Sequence, residues 1–229
     1  MVYVLTMNVQ VLYEDNHLIA VNKPTGYLVQ ADETGDPTVA DWVKRYIKDR
    51  YDKPGDVFLG VIHRLDRPVS GVLLYARTSK GLSRMNELFR KRQVEKTYWA
   101  VTTEQPNPLE GKLVHYLSKD ERRNVTNASL RQRGNAKRAE LSYALHSRIG
   151  SHSLLEVKPH TGRPHQIRVQ LARHQCPIYG DLKYGANTPT EDGSILLHSR
   201  SLAFEHPVKR EPVRITASLP KHPIWDLFA

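Results

Sequence analysis

The chain has 229 residues, 39% hydrophobic and 25% charged, which is enough apolar material for a core and excludes a disordered polymer. Lys and Arg number 34 against 24 Asp and Glu, and the surplus of +10 favours a polyanionic partner, because cations set against phosphates release counterions. The one cysteine, Cys176, excludes an intrachain disulfide and a cysteine-built zinc site. The start, Met1 to Asn8, has no basic n-region, and Asn8, Gln10 and Glu14 interrupt any apolar run, so no signal peptide is expected. No stretch nears the roughly 18 apolar residues of a membrane span. A reduced, cytoplasmic protein without membrane contact is expected.

Val9, Val11 and Tyr13 alternate with polar residues, Glu14-Asp-Asn16 supplies turn chemistry, and His17 to Val21 resumes an extended run, which predicts a hairpin. Thr38-Val-Ala-Asp41 has the form of a capping box opening an amphipathic helix, with Val39, Trp42, Val43, Tyr46 and Ile47 on one face. After the break Tyr51 to Gly55, Val57 to Ile62 and Val69 to Ala76 predict buried strands. Ser79 is the expected cap of a second helix carrying Leu82, Met85, Leu88 and Phe89 on one face. Its other face is basic: Arg77 to Lys96 holds seven basic residues against Glu87 and Glu95. Further strands are predicted over Thr97 to Thr102, Lys112 to Leu117, Ala139 to Ser147 and Ser153 to Lys158. The polar, basic segment Glu121 to Arg138 predicts an exposed loop or ribbon. Pro164 to His174 predicts a short helix opening at a proline, and late strands are predicted near Ile195 to Leu197 and Pro212 to Leu219. Many strands, few helices and no regular alternation point to an α+β fold with a largely antiparallel sheet, in a single domain over 1–229.

Three segments carry candidate chemistry. In Val61-Ile-His-Arg-Leu-Asp-Arg-Pro-Val-Ser-Gly71, Asp66 stands between Arg64 and Arg67 at the edge of two apolar strands. Two cations suit a charged carboxylate acting as nucleophile or base, but these residues alone fit a structural ion pair or a turn-capping aspartate better. Lys158-Pro-His-Thr-Gly-Arg-Pro-His-Gln-Ile-Arg168 sets histidines and arginines around a turn leading into a helix, either an anion site or a solvated basic turn. His160 and His165 are not four apart and have no acidic residue between them, so no metal site is expected. Gln93 to Ala100 runs a basic helix into an aromatic strand, where Tyr98 is either core or a residue that stacks on a base. Gly180-Asp-Leu-Lys-Tyr-Gly185 is a turn-rich loop and carries little weight alone.

Together these segments resemble the RluA family of RNA pseudouridine synthases, over nearly the whole chain. His63-Arg-Leu-Asp66 through Ser70-Gly71 resembles the family's diagnostic segment, and Val21-Asn-Lys-Pro24 its opening strand and loop. Glu95-Lys-Thr-Tyr98 is similar to its active-site tyrosine segment, and Thr161-Gly-Arg-Pro-His-Gln-Ile-Arg168 to the segment whose last arginine pairs with the aspartate. Pro177 to Gly185 and Leu197 to Pro207 resemble the loop and strand that follow. Val69, Gln170 and Cys176 depart from the residues most common at their positions. The resemblance implies a pseudouridine synthase fold, with a mixed, largely antiparallel sheet flanked by helices, and no preceding S4 domain. It implies isomerisation of uridine in tRNA or large-subunit rRNA by Asp66, Tyr98 and Arg168, without a cofactor. His63, Arg64, Arg67, Arg163 and His165 are the expected substrate contacts, with Arg64 helping to displace and replace a flipped base, and Arg90 and Arg92 on the basic helix face are expected to grip phosphates. A monomer with no protein partner is expected. The alternatives are an RNA-binding protein without catalysis, against which Asp66, Tyr98 and Arg168 all stand, and a metal-assisted nucleic-acid enzyme.

Overall fold

The predicted hairpin is present as β1 (Gln10–Glu14) and β2 (Leu18–Lys23), paired antiparallel. Asp15 turns the chain between them, its Oδ1 accepting the backbone N–H of His17 and of Leu18, each at 2.8 Å. This is a computed structural model, and it describes residue 7 and residues 9–229; residues 1–6 and residue 8, most of the start read above for a signal peptide, lie outside. The chain divides into two compact units, one running through Glu95 and including Ser199–Pro220, the other comprising Lys96–His198 and Lys221–Ala229.

Helix α1 (Val39–Arg50) begins at the predicted capping box: Thr38 Oγ1 accepts from Asp41 N–H, and the Asp41 carboxylate accepts from Thr38 N–H. Two orphaned N–H groups are satisfied reciprocally, and the helix buries Val39, Val43 and Ile47. Strand β3 (Gly60–Val61) is shorter than the apolar run predicts. Its partner β4 (Ser70–Ala76) receives something else beyond Val61: Leu74 N–H donates to His63 Nε2 at 3.0 Å, so a side chain replaces strand backbone there. The second helix, α2 (Ser79–Arg90), is capped one residue earlier than predicted. Thr78, not Ser79, is extended and accepts from Gly81 N–H at 3.0 Å.

The chain continues through β5 (Glu95–Thr102), β6 (Glu110–Asp120), β7 (Val125–Ser129), β8 (Lys137–Ile149) and β9 (His152–Pro159). Then come α3 (Gln166–Arg173), β10 (Leu197–Glu205), β11 (Pro212–Thr216) and a final turn of helix, α4 (Pro223–Asp226). Strand β7 lies inside the basic segment, which is therefore the ribbon alternative: its backbone pairs with β6 from Tyr116↔Ser129 to Asp120↔Val125.

In the first unit the strands run β1-β2-β4-β10, with β11 on β10 and β3 on β4. Leu18, Ala20, Val72 and Leu74 pack with Met85 of α2 and with Leu202 and Ile215. A fully buried leucine of this kind contributes about 1.5–3 kcal/mol. In the second unit the order is β5-β9-β8-β6-β7, paired antiparallel along β5·β9, β9·β8, β8·β6 and β6·β7. Helix α3 packs Val169 against Leu117 and Ala139, and buried Gln170 donates through Nε2 to Leu113 O and His115 Nδ1, each at 3.1 Å. Gln170 thus ties α3 to β6. Few helices and antiparallel strands make the fold α+β, as the sequence predicts.

Candidate active site

Asp66 is half-buried and opens a tight turn, with Val69 N–H donating to Asp66 O at 3.0 Å. Beneath that turn, β2 ends in Lys23, a fully buried lysine. Its Nζ donates to the carbonyls of Pro24 (3.0 Å), Arg67 (3.1 Å) and Val69 (2.7 Å), so its three N–H donors each meet an acceptor. Burial pushes this ammonium down to about 7, against the charge of Asp66, which pulls it up. The segment Arg67 to Val69 is therefore folded over a buried cation that the charge of Asp66 favours.

The flanking residues hold this turn in place. Arg67 is exposed, and its guanidinium is engaged by Gly26 O (Nε, 2.8 Å) and by Asp36 (Nη1, 2.8 Å), while Gly26 N–H returns to Arg67 O. His63 accepts from Leu74 N–H and stacks on Phe89 at 5.4 Å, so its Nε2 lone pair is committed to β4. Arg64 is exposed, as are Arg90 and Arg92 at the end of α2. Ser70 begins β4, and Gly71 follows with φ +112. A Cβ on Gly71 would meet Ser199 O and, at 2.6 Å, Ser199 N, so only glycine fits the approach of β4 to β10.

Tyr98, Arg163, His165 and Arg168 belong to the second unit. Tyr98 is half-buried on β5 opposite Val157. The turn before α3 is braced by Gln166, whose Oε1 accepts from Thr161 Oγ1 (2.7 Å) and Arg163 N–H (3.0 Å) and whose Nε2 donates to Glu140 O. That bracing delays the helix to Gln166 and leaves His165 left-handed at φ 52. Arg163 Nε donates to Arg138 O at 3.3 Å.

Arg168, 6% exposed, is gripped by a residue of the turn-rich loop Gly180 to Gly185, which the sequence does not single out as a site residue. Its Nε and Nη2 donate to the two oxygens of Asp181, at 2.7 and 2.8 Å, and Asp181 is 1% exposed. The Tyr184 ring lies under the guanidinium, 5.1 Å from Cζ to centroid. The Tyr184 hydroxyl accepts from Thr126 N–H at 2.8 Å and lies 2.7 Å from His165 Nδ1. Burial raises the Tyr184 phenol, which keeps it a neutral hydroxyl. The Gly180-Asp…Tyr-Gly185 loop, unremarkable alone, is thus half of the arginine's setting.

Asp66 thus stands on a braced turn in the first unit and Arg168 is held bidentately in the second, in the chain order read from the sequence. Residues 17–173 match the family model for RNA pseudouridylate synthase, and the chain belongs to that family of RNA isomerases. Among curated relatives, it is 33% identical over 228 residues to tRNA pseudouridine synthase C of Haemophilus influenzae, covering 92% of each chain. It is 33% identical over 224 residues to ribosomal large subunit pseudouridine synthase D of Xylella fastidiosa, covering 92% of this chain and 66% of the relative. Among solved structures, human RNA pseudouridylate synthase domain containing 4 superposes with a TM-score of 0.76 at 27% identity, over 95% of this chain and 91% of the other. The fold is the pseudouridine synthase fold.

Proposed function

We propose that this chain isomerises uridines in tRNA or large-subunit ribosomal RNA, with Asp66 as its catalytic carboxylate. The observation that carries the assignment is the setting of Asp66: a carboxylate at the head of a turn clamped from below by Lys23. A reacting group gains most when its position is fixed before the substrate arrives. The relatives named for tRNA and for the ribosomal large subunit support both RNA classes. The motif segments are divided between the two units, and this reading takes 1–229 as one catalytic domain.

The reaction breaks the C1′–N1 bond, turns the uracil, joins C1′ to C5, releases the C5 proton and protonates N1. It balances without an oxidant, reductant or group donor, so the isomerisation itself calls for no cofactor. Asp66 supplies the nucleophile or the base at the ribose, Tyr98 packs on the base and takes part in the late proton transfer from C5, and Arg168 supplies a fixed cation. Arg64, exposed beside Asp66, contacts the nucleotide step from which the base is flipped. His63, Arg67, Arg163 and His165 shape the pocket, and Arg90 and Arg92 hold phosphates.

Asp66→Asn keeps the shape and removes the charge. Tritium release from 5-tritiated uridine in tRNA and large-subunit rRNA transcripts is expected to fall by orders of magnitude, with RNA affinity nearly unchanged. Activity within about tenfold of wild type would remove Asp66 from the chemistry.

A further inference from the structure

Arg168 is long, and a guanidinium on an ordinary arginine samples many rotamers. Here two groups remove that freedom, and each is itself held in place. Asp181 accepts from Nε and Nη2 through both oxygens, which fixes the plane of the guanidinium. The Tyr184 ring covers one face of that plane. The ring is itself fixed, because its hydroxyl accepts from Thr126 N–H and meets His165 Nδ1. Asp181 in turn is set by the backbone: its N–H donates to Ile178 O, and its carbonyl accepts from Tyr184 and Ala186 N–H. Gly180 holds this turn at φ +86, where an added Cβ would meet Ser194 O at 2.7 Å.

We propose that Asp181 and Tyr184 are positioning residues for the isomerisation, acting through Arg168: Asp181 sets the plane of the guanidinium and Tyr184 its face. This rests on the reading of Arg168 as part of the reaction. A merely structural pair would cost stability when broken and leave the surviving turnover per folded molecule alone. A positioning pair costs kcat, because a displacement of about 1 Å at a reacting group can cost about 100-fold.

The test pairs kinetics with a readout that needs no activity. On 5-tritiated tRNA and large-subunit rRNA transcripts, Asp181→Asn is expected to lower kcat about 100-fold while KM changes by less than about threefold. In an Arg168→Met background the same change is expected to cost nothing further, since its route is already gone. In parallel, the Arg168 Nε–H resonance of arginine-labelled protein, assigned by its loss in Arg168→Met, is expected to exchange slowly with solvent in wild type and at least about tenfold faster in Asp181→Asn. Should Asp181→Asn not fold, Tyr184→Leu carries the same three measurements. An unchanged kcat, an equal loss in both backgrounds, or an unchanged Nε–H resonance overturns the proposal. If wild type itself forms no pseudouridine on either RNA, the functional reading fails, and the resonance alone decides whether Asp181 fixes Arg168.

Discussion

A lysine ammonium buried under a turn is costly unless every N–H finds an acceptor, and Lys23 finds three backbone carbonyls. Burial still depresses it to about 7 from its ordinary 10.5, so its proton is linked to folding. Between about 7 and 10.5 the unfolded chain holds the Lys23 proton and the folded chain releases it, so this residue makes stability rise with pH across that window. Below the window both states are charged, and above it both are neutral. Lys23→Met lacks that linkage and leaves buried carbonyls without a donor, each costing about 1–3 kcal/mol. Its stability deficit against wild type is expected to widen between pH 7 and pH 9, by up to about 1.4 kcal/mol per pH unit. Urea melts of both proteins at pH 7, 8 and 9 check this, and a constant deficit would mean that Lys23 does not exchange its proton in the native state.

At the scale of elements, Gly71 decides whether β4 can lie beside β10. Its φ of +112 is strained for any side chain, and an added methyl would press on the backbone of Ser199. Strain of about 1–3 kcal/mol and overpacking of about 1–3 kcal/mol act together, so Gly71→Ala is expected to destabilise the protein by about 3 kcal/mol or more. Thermal melts with far-UV circular dichroism test it; a shift within the error of wild type would mean the strands adjust without cost. Elements set by local chemistry were legible in the sequence: the Asp15 turn, the capping box of α1 and the apolar run of β4 each carry their cause within a few residues. Elements set by distant partners were not. The stub of β3 depends on His63 reaching β4, and the late start of α3 depends on Gln166 reaching Glu140. The site divides in the same way. Asp66 and Arg168 stand in dense motifs, whereas Asp181 becomes informative only when the fold buries it against Arg168, thirteen residues away in sequence.

Across the whole molecule, a surplus of +10 is the term that an RNA phosphate backbone sees first, but many cations are already committed to the protein. Arg77 is held by Glu14 at 3.0 Å, Arg84 donates to Pro207 O at 2.9 Å, and Lys91 pairs with Glu87 at 2.8 Å. The exposed cations left along α2 are Lys80 in its first turn and, at its end, Arg90 and Arg92, of which Arg92 is left-handed at φ 59. In the basic segment, Arg122 and Arg123 are exposed at the turn joining β6 to β7, a ribbon anchored below that turn by Thr126 and by Lys183, which donates to Asn124 O. An anchored turn presents its arginines to phosphates at lower entropic cost than a free loop. Replacing Arg90 and Arg92 by glutamine, and separately Arg122 and Arg123, is expected to lower the slope of log affinity against log salt by about 0.7–0.9 for each phosphate no longer neutralised. The weakening should fall equally on cognate and non-cognate RNA, because phosphates carry no sequence. Filter-binding titrations at several salt concentrations, with a tRNA transcript and an unrelated hairpin, separate the outcomes. An unchanged slope removes that pair from the RNA footprint, and a weakening confined to the tRNA means the pair reads shape or bases instead.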